Sequence, residues 1–427
     1  MPLHSGFTCP GLVEARVPSP SACSSEILLL GQRTPLVLLV FILAGASLAL
    51  PMAAPLAAPL AAQEIQLIGE LRPRHEQRSP DFPSAPAADV MMRTRLGVAM
   101  GLSESLALRV VVQDVIAFGG SGTESGWDPD PDLFVGFVEV SEFLGSGVAV
   151  RAGRQEISLG NERLVSRNNW GHRGQRFDAV RLLGGRGAVS ADLFSARLAG
   201  GSGSRWLHGA HAAIPLQADE SLHLYALHNR EGEESGTTHY TGGGHARVEA
   251  GGVEWILEGY LQRGERQGVS VSAYQFASGA ARTFDRVRTQ LLYEHYSGDD
   301  GRGDRLGSFD RLRGSNHGFH GYADLFTSLP QNAGGRGLGD LNLSATMDLG
   351  FGTEFQLKVH RFRVVEPRDL SSGRFGEELD LVLTHRPRSG VTLEAGLSRV
   401  WAGPALEELR GLERNLTFGY AMVGLVF

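Results

Sequence analysis

The chain has 427 residues, 57 of them glycine, with 42% hydrophobic residues and a formal net charge of −7. It is long enough for one large domain or two or three ordinary ones. The negative balance excludes nucleic acid as the main partner, because that needs a basic face. Lys358 is the only lysine among the 40 basic residues, so nearly every cation is an arginine. Codon bias from a GC-rich genome explains this, and so does selection for planar, always-charged donors that suit carboxylates and phosphates.

In chain order, the first feature is an export signal. Arg33 precedes the apolar run PLVLLVFILAGASLAL (35–50), which leads into the small-residue segment PMAAPLAAPLAAQ. This is the layout of a secretory signal peptide, with cleavage expected near Ala62; a short anchoring helix is the weaker alternative. LAG at 43–45 begins like a lipoprotein signal, but Ala46 stands where a lipidated cysteine belongs. Both cysteines, Cys9 and Cys23, precede the signal. The mature chain therefore has no disulfide framework, thiolate metal site or cysteine nucleophile. The expected organisation is a removed leader (1–62), a periplasmic lead-in (63–91) and one domain over 92–427.

From Met92 onward apolar and polar residues alternate in short bursts. The period of two appears in SLALRVVVQDV (105–115), EWILEGYLQR (254–263) and RVRTQLLYEHY (286–296). It continues in LNLSATMDL (341–349), EFQLKVHRF (354–362), LDLVLTH (379–385) and VTLEAGLSRV (391–400). Strict alternation argues for half-buried strands, and no long pattern of period 3.6 interrupts them. One face is apolar and the other carries Arg109, Glu254, Glu258, Glu294, Lys358 and Asp380. A soluble sandwich hides the apolar face and a membrane barrel exposes it, so alternation alone does not choose between them.

Three observations favour an all-β chain forming a single antiparallel transmembrane β-barrel. The pattern runs on without a linker. Aromatic pairs near strand ends (Tyr293 with Tyr296, Phe355 with Phe362, Phe418 with Tyr420) fit interfacial girdles. The chain ends LTFGYAMVGLVF, a strand closing on Phe427, which is the signal that barrel-assembly machinery reads. About 360 mature residues at ~10 per strand plus turns permit roughly 16 to 18 strands.

The segment GRQEISLGNERLVSRNNWGHRGQRFDAVRLL (153–183) closely resembles the core motif of the bacterial alginate-export family of outer-membrane barrels. YEHYSGDDGRGDRLGSFDRLRGSNHGFHGYADLF (293–326) resembles that family's second hallmark. LGDLNLSATMDL and ELDLVLTHRPRSGVTLEAGLSRVWAG match further elements in the right order. The resemblance implies a monomeric barrel of about 18 strands in the cell outer membrane, surrounded by lipid, passing a polyanionic polysaccharide through an arginine-rich lumen. No cofactor is expected. By motif it places Arg154 and Arg181 on the substrate path, with Arg163 and Arg176 flanking the loop between. Alternation adds Arg95, Arg109, Arg151 and Arg288 as lumen candidates.

The polar faces hold as many acids as bases, among them Glu139, Glu156, Asp192, Glu249, Glu254, Glu258, Glu294 and Glu394. A lumen network of salt bridges is thus an even competitor for any single arginine. A general porin for small solutes is the alternative function, a lipid-acting barrel enzyme a remote one, and a soluble periplasmic β-protein a third. Ser221 with His223 supplies no isolated nucleophile and base. GDDGRGD (298–304), WDPDPD (127–132) and the pairs His208/His211 and His317/His320 lack the spacing or the third ligand of a metal site.

Overall fold

The computed structural model describes residues 64–79, 82, 90–118, 131–145, 147–199, 205–216, 220–232, 236–315, 317–412 and 415–427. The expected leader, with Cys9 and Cys23, lies outside these residues. The strands are β1 (Glu64–Arg78), β2 (Val90–Gly101), β3 (Leu106–Phe118), β4 (Asp132–Val140), β5 (Ala149–Gln155), β6 (Phe177–Arg186), β7 (Val189–Leu198), β8 (Arg205–Pro215), β9 (Ser221–Glu231) and β10 (Thr237–Ala250). They continue as β11 (Val253–Arg266), β12 (Val269–Phe284), β13 (Val287–Tyr296), β14 (Arg305–Leu306), β15 (Leu338–Gly350), β16 (Thr353–Val364), β17 (Arg374–Arg388), β18 (Val391–Ala402) and β19 (Leu416–Val426).

All but the two-residue β14 form one wall of 18 antiparallel strands, each beside its sequence neighbours. The wall closes where β1 pairs with β19, from Glu70 opposite Val426 to Arg78 opposite Phe418. Closure leaves no sheet edge, so every wall N–H and C=O can bond within the protein, the condition for strands to sit in hydrocarbon.

The alternation reads inside out. In β15, Leu341, Leu343, Met347 and Leu349 are exposed, while Asn342 and Ser344 between them are buried. The apolar face is therefore the outer one, and the polar face lines the interior. Two-residue turns (187–188, 251–252, 285–286, 351–352, 389–390) mark the end where β1 starts and β19 finishes. The longer loops 156–176, 297–337 and 365–373 lie at the other end, the arrangement in which turns face the periplasm and loops the cell exterior.

Two expectations are corrected. Residues 63–91 are not a lead-in, because Glu64–Arg78 is the strand that closes the barrel and β2 already begins at Val90. Its Ile65 and Leu67 face out, and Glu70, Arg72, Arg74 and Glu76 face in. Of the six proposed girdle residues, only Tyr293 and Phe355 face outward. Tyr293 is exposed on the outer face, but Tyr296, Phe362, Phe418 and Tyr420 are buried on the inner one. The outer girdles are built instead from Trp206, Tyr240, Tyr274, Tyr293 and Trp401 near the loop end. At the turn end they comprise Trp255, Phe284, Phe351 and Phe427.

Those inward aromatics serve a core inside the loop-bearing half of the barrel. Ile157, Leu159, Leu164 and Val165 of loop 156–176 join Phe309, Leu325, Phe326 and Leu329 of loop 297–337 there. The short helix α1 (Pro404–Arg410) adds Ala405 and Leu406. Each large side chain so buried contributes about 1.5–3 kcal/mol, which makes the loops part of the fold.

The glycine of the GRQ motif has a physical reason. Gly153 sits at φ 126°, and a Cβ there would lie 2.3 Å from the Gly136 carbonyl oxygen on β4. Neither backbone atom can yield without breaking the ladder. Gly153→Ala should lower stability by about 1–3 kcal/mol, seen as an earlier urea midpoint for loss of the heat-modifiable folded band.

Candidate functional site: the lumen and its inward-folded loops

Loop 156–176 leaves β5 and crosses the interior instead of projecting from it. Its central anchor is Arg163, which is 3% exposed. Its Nη2 donates to Glu294 Oε1 at 2.9 Å and its Nη1 to Glu294 Oε2 at 3.1 Å and to the Tyr296 hydroxyl at 2.5 Å. Its Nε lies 2.6 Å from Glu258 Oε1, and the guanidinium sits 4.1 Å from the Phe319 ring centre. Burial alone would lower the arginine's pKa, but Glu258 and then Glu294 outweigh it and raise it well above the ordinary value. Asn161 donates to Glu258 at 3.1 Å, so the NERL element meets the wall through β11 and β13.

The NW element meets the opposite wall. Arg72 donates to the Asn169 carbonyl at 2.5 Å and the Gly171 carbonyl at 3.0 Å, and Arg74 to the Trp170 carbonyl at 2.7 Å. Arg93 donates to Asn169 Oδ1 at 2.9 Å and also pairs with Glu70. Trp170 stacks on His317 at 3.6 Å, lies 4.0 Å from the Arg74 guanidinium and donates its indole N–H to Asp324. Val165 pairs with Arg313 in a parallel bridge that ties the two inward loops together.

Loop 297–337 is fixed in the same manner. Arg311 donates to His320 Nδ1 at 3.0 Å, so that nitrogen is an acceptor and the imidazole proton sits on Nε2, 3.0 Å from Glu294. The Ala323 N–H donates to Glu378 at 2.7 Å; a Cβ on Gly321 would strike that carboxylate at 2.3 Å. Lys358 Nζ donates to the Gly318 carbonyl at 2.8 Å. The acidic GDDGRGD turn holds itself: Asp299 accepts from Gly301 and Gly307 backbone N–H groups and from Arg368. Among the described residues no group of three His, Asp or Glu could hold a metal ion.

The eight arginine candidates divide sharply. Arg95 pairs with Glu70 at 3.1 Å and stacks on Phe134; Arg151 pairs with Glu139 at 2.5 Å; Arg288 pairs with Glu254 at 2.8 Å. Arg181 is bonded to Asp192 and Arg176 to Asp132. Arg154 is a correction: it lies on the outer face, bound at 2.7 Å to Asp178, which is likewise outward. It sits three residues from inward Arg151, and in a strand an odd separation puts two side chains on opposite faces. Arg109 is exposed in the lumen and has no ion pair among the described residues. With Glu64, Gln66, Glu139 and Arg151 it lines a cavity of about 240 Å³ at the turn-bearing mouth. Arg72, Arg74 and Arg93 escaped the sequence reading because β1 was placed outside the barrel.

An inward-folded pair of loops inside a closed strand wall, with polar side chains at both mouths, is the anatomy of a channel. The alginate-export family model matches residues 66–418. The chain belongs to the alginate-export family. No curated protein matches it by sequence. Among solved structures it resembles Acinetobacter baumannii OccAB2, with a TM-score of 0.62 and 11% identity over 86% of this chain and 98% of that one. Pseudomonas aeruginosa OprD gives 0.59 and 14% over 86% and 96%, and Pseudomonas aeruginosa OccK3 (OpdO) 0.59 and 13% over 86% and 96%. These are outer-membrane porins, and the likeness is one of fold. This alginate-export barrel is thus an outer-membrane channel protein.

Removing the central tie should free the first loop. Arg163→Gln strands Glu258 and Glu294 without their cation, a loss of about 3–5 kcal/mol. The expected readouts are faster proteolysis within 156–176 and a larger single-channel conductance.

Acid should act in the same direction. Burial pushes His320 down to about 4, opposed by Glu294 and reinforced by Arg311; burial also lowers His172, beside Glu76 and Arg74. A released imidazole titrates near ~6.5. Docking is therefore fully favourable above that pH and is lost progressively as pH falls from about 6.5 toward about 4. Conductance should rise between pH 7.5 and 4.5, and His320→Gln should reduce the rise.

Proposed function

We propose that the barrel is a passive channel for anionic saccharides of the uronate type. The observation that carries this is Arg109, exposed in the lumen and in no ion pair among the described residues, with only the more distant charge of Glu156 acting on it and Arg151 beside it at the turn-bearing mouth. A uronate carries a carboxylate on each sugar, and a guanidinium offers it a planar pair of donors. Glu64 and Glu139 line the same cavity and keep binding weak, which conduction requires. The protein works as a monomer, delivered to the membrane by assembly machinery that reads Phe427. No enzymatic step is part of this reading; Ser221 and His223 share the lumen face of β9.

A general porin for small solutes is the second reading. It is favoured by the carboxylates that neutralise Arg95, Arg151, Arg163, Arg176, Arg181 and Arg288. Planar-bilayer measurements separate the two. The uronate reading expects anion selectivity, block by uronate oligomers but not by neutral oligosaccharides of equal length, and loss of both in Arg109→Glu. A cation-selective pore, or equal block by both oligomers, would overturn it and leave the porin.

A further inference from the structure

The outer face of a membrane barrel should be apolar, yet at its loop-bearing end six exposed arginines point outward besides the paired Arg154: Arg197, Arg230, Arg263, Arg361, Arg363 and Arg399. All six are exposed, and each lies within four residues of the loop-bearing end of its strand (β7, β9, β11, β16 or β18). Outward carboxylates at this level are few. Asp178 is committed to Arg154, Glu377 lies 3.0 Å from Arg374 and 3.9 Å from Arg361, and Glu265 stands near Arg263 on β11.

Their depth is fixed by the aromatics among them. Trp206 lies opposite both Arg197 and Arg230, and Tyr240 lies opposite Arg263. Tyr240 also stacks on His228 at 4.5 Å, and His228 on His208 at 5.7 Å, on the same outer face. Tryptophan and tyrosine in this position sit at headgroup level, so the guanidinium groups beside them do too. A charge is tolerated on the lipid face there and disfavoured deeper. Arg197 and Arg230 stand two strands apart, about 10 Å, a spacing that lets adjacent guanidinium groups hold separate anions.

We infer that this arginine belt binds the phosphate groups of a phosphorylated glycolipid in the outer leaflet. Guanidinium pairs bidentately with phosphate as it does with carboxylate, and its stem can lie along the apolar wall while the head reaches the interface. Loops face the cell exterior in this fold class, so the belt contacts the leaflet that carries such glycolipids. The site is on the opposite side of the wall from the lumen and does not depend on which solute passes.

The test uses the full mature chain refolded in zwitterionic detergent and titrated with bisphosphorylated lipid A, its dephosphorylated form and phosphatidylglycerol. Bound lipid is counted by native mass spectrometry. The bisphosphorylated form should bind tightest. The set Arg197→Gln, Arg230→Gln and Arg263→Gln should weaken it on the order of 100-fold, about fivefold per arginine. Single-channel conductance and heat-modifiable migration should not change. Unaltered affinity in this set and in the Arg361→Gln, Arg363→Gln and Arg399→Gln set overturns the inference. So does equal binding of dephosphorylated lipid A or of phosphatidylglycerol by the wild-type chain, a result that stands even if a variant fails to fold.

Discussion

The wall depends on one constraint: in hydrocarbon there is no water to satisfy a peptide group. A strand can lie there only if both its neighbours are strands, which forces the sheet to close on itself. The junction of β1 with β19 meets that demand, and Gly69 and Phe427 complete it by exchanging N–H···O bonds of 2.7 and 3.0 Å at the turn-bearing end. Once the wall is closed, each residue has only two places to be, lipid or lumen. Apolar and polar residues are sorted between them by the pleat.

The same sorting creates a problem inside. A wide barrel turns many charged side chains into a confined space where an unpaired charge is unfavourable. This chain resolves it by folding two loops inward and using their carbonyls, carboxylates and arginines as partners for the wall. Arg72, Arg74 and Arg93 thereby become loop supports, while Glu258 and Glu294 receive the loop's own Arg163. The arginine-rich lumen that the family resemblance implies is largely an internally neutralised network. Among the described residues, Arg109 at the turn-bearing mouth stands outside those ion pairs.

The strand wall was legible because a period of two survives in any strand with one face in lipid, as in LNLSATMDL and VTLEAGLSRV. β1 was overlooked because EIQLIGELRPRHEQR has few apolar residues and a proline at Pro73, although its charges recur at every second position from Glu70 to Glu76. The face of Arg154 was also readable: three residues separate it from Arg151, and parity forbids both from reaching the lumen. The loop contacts were not readable. Arg163 and Glu294 are 131 residues apart, Arg72 and Asn169 97. Nothing local in NERL or NNWG says which wall either will meet.

Those separations carry a consequence for the order in which the molecule is made. Loop 156–176 binds β1 and β2 on one side and β11 and β13 on the other, so its seat does not exist until strands from both halves of the chain are in place. Docking is necessarily a late event, following wall assembly. Until that loop docks, the closed cylinder is a wider tube than the finished one. The lumen therefore reaches its final bore only after the wall has closed.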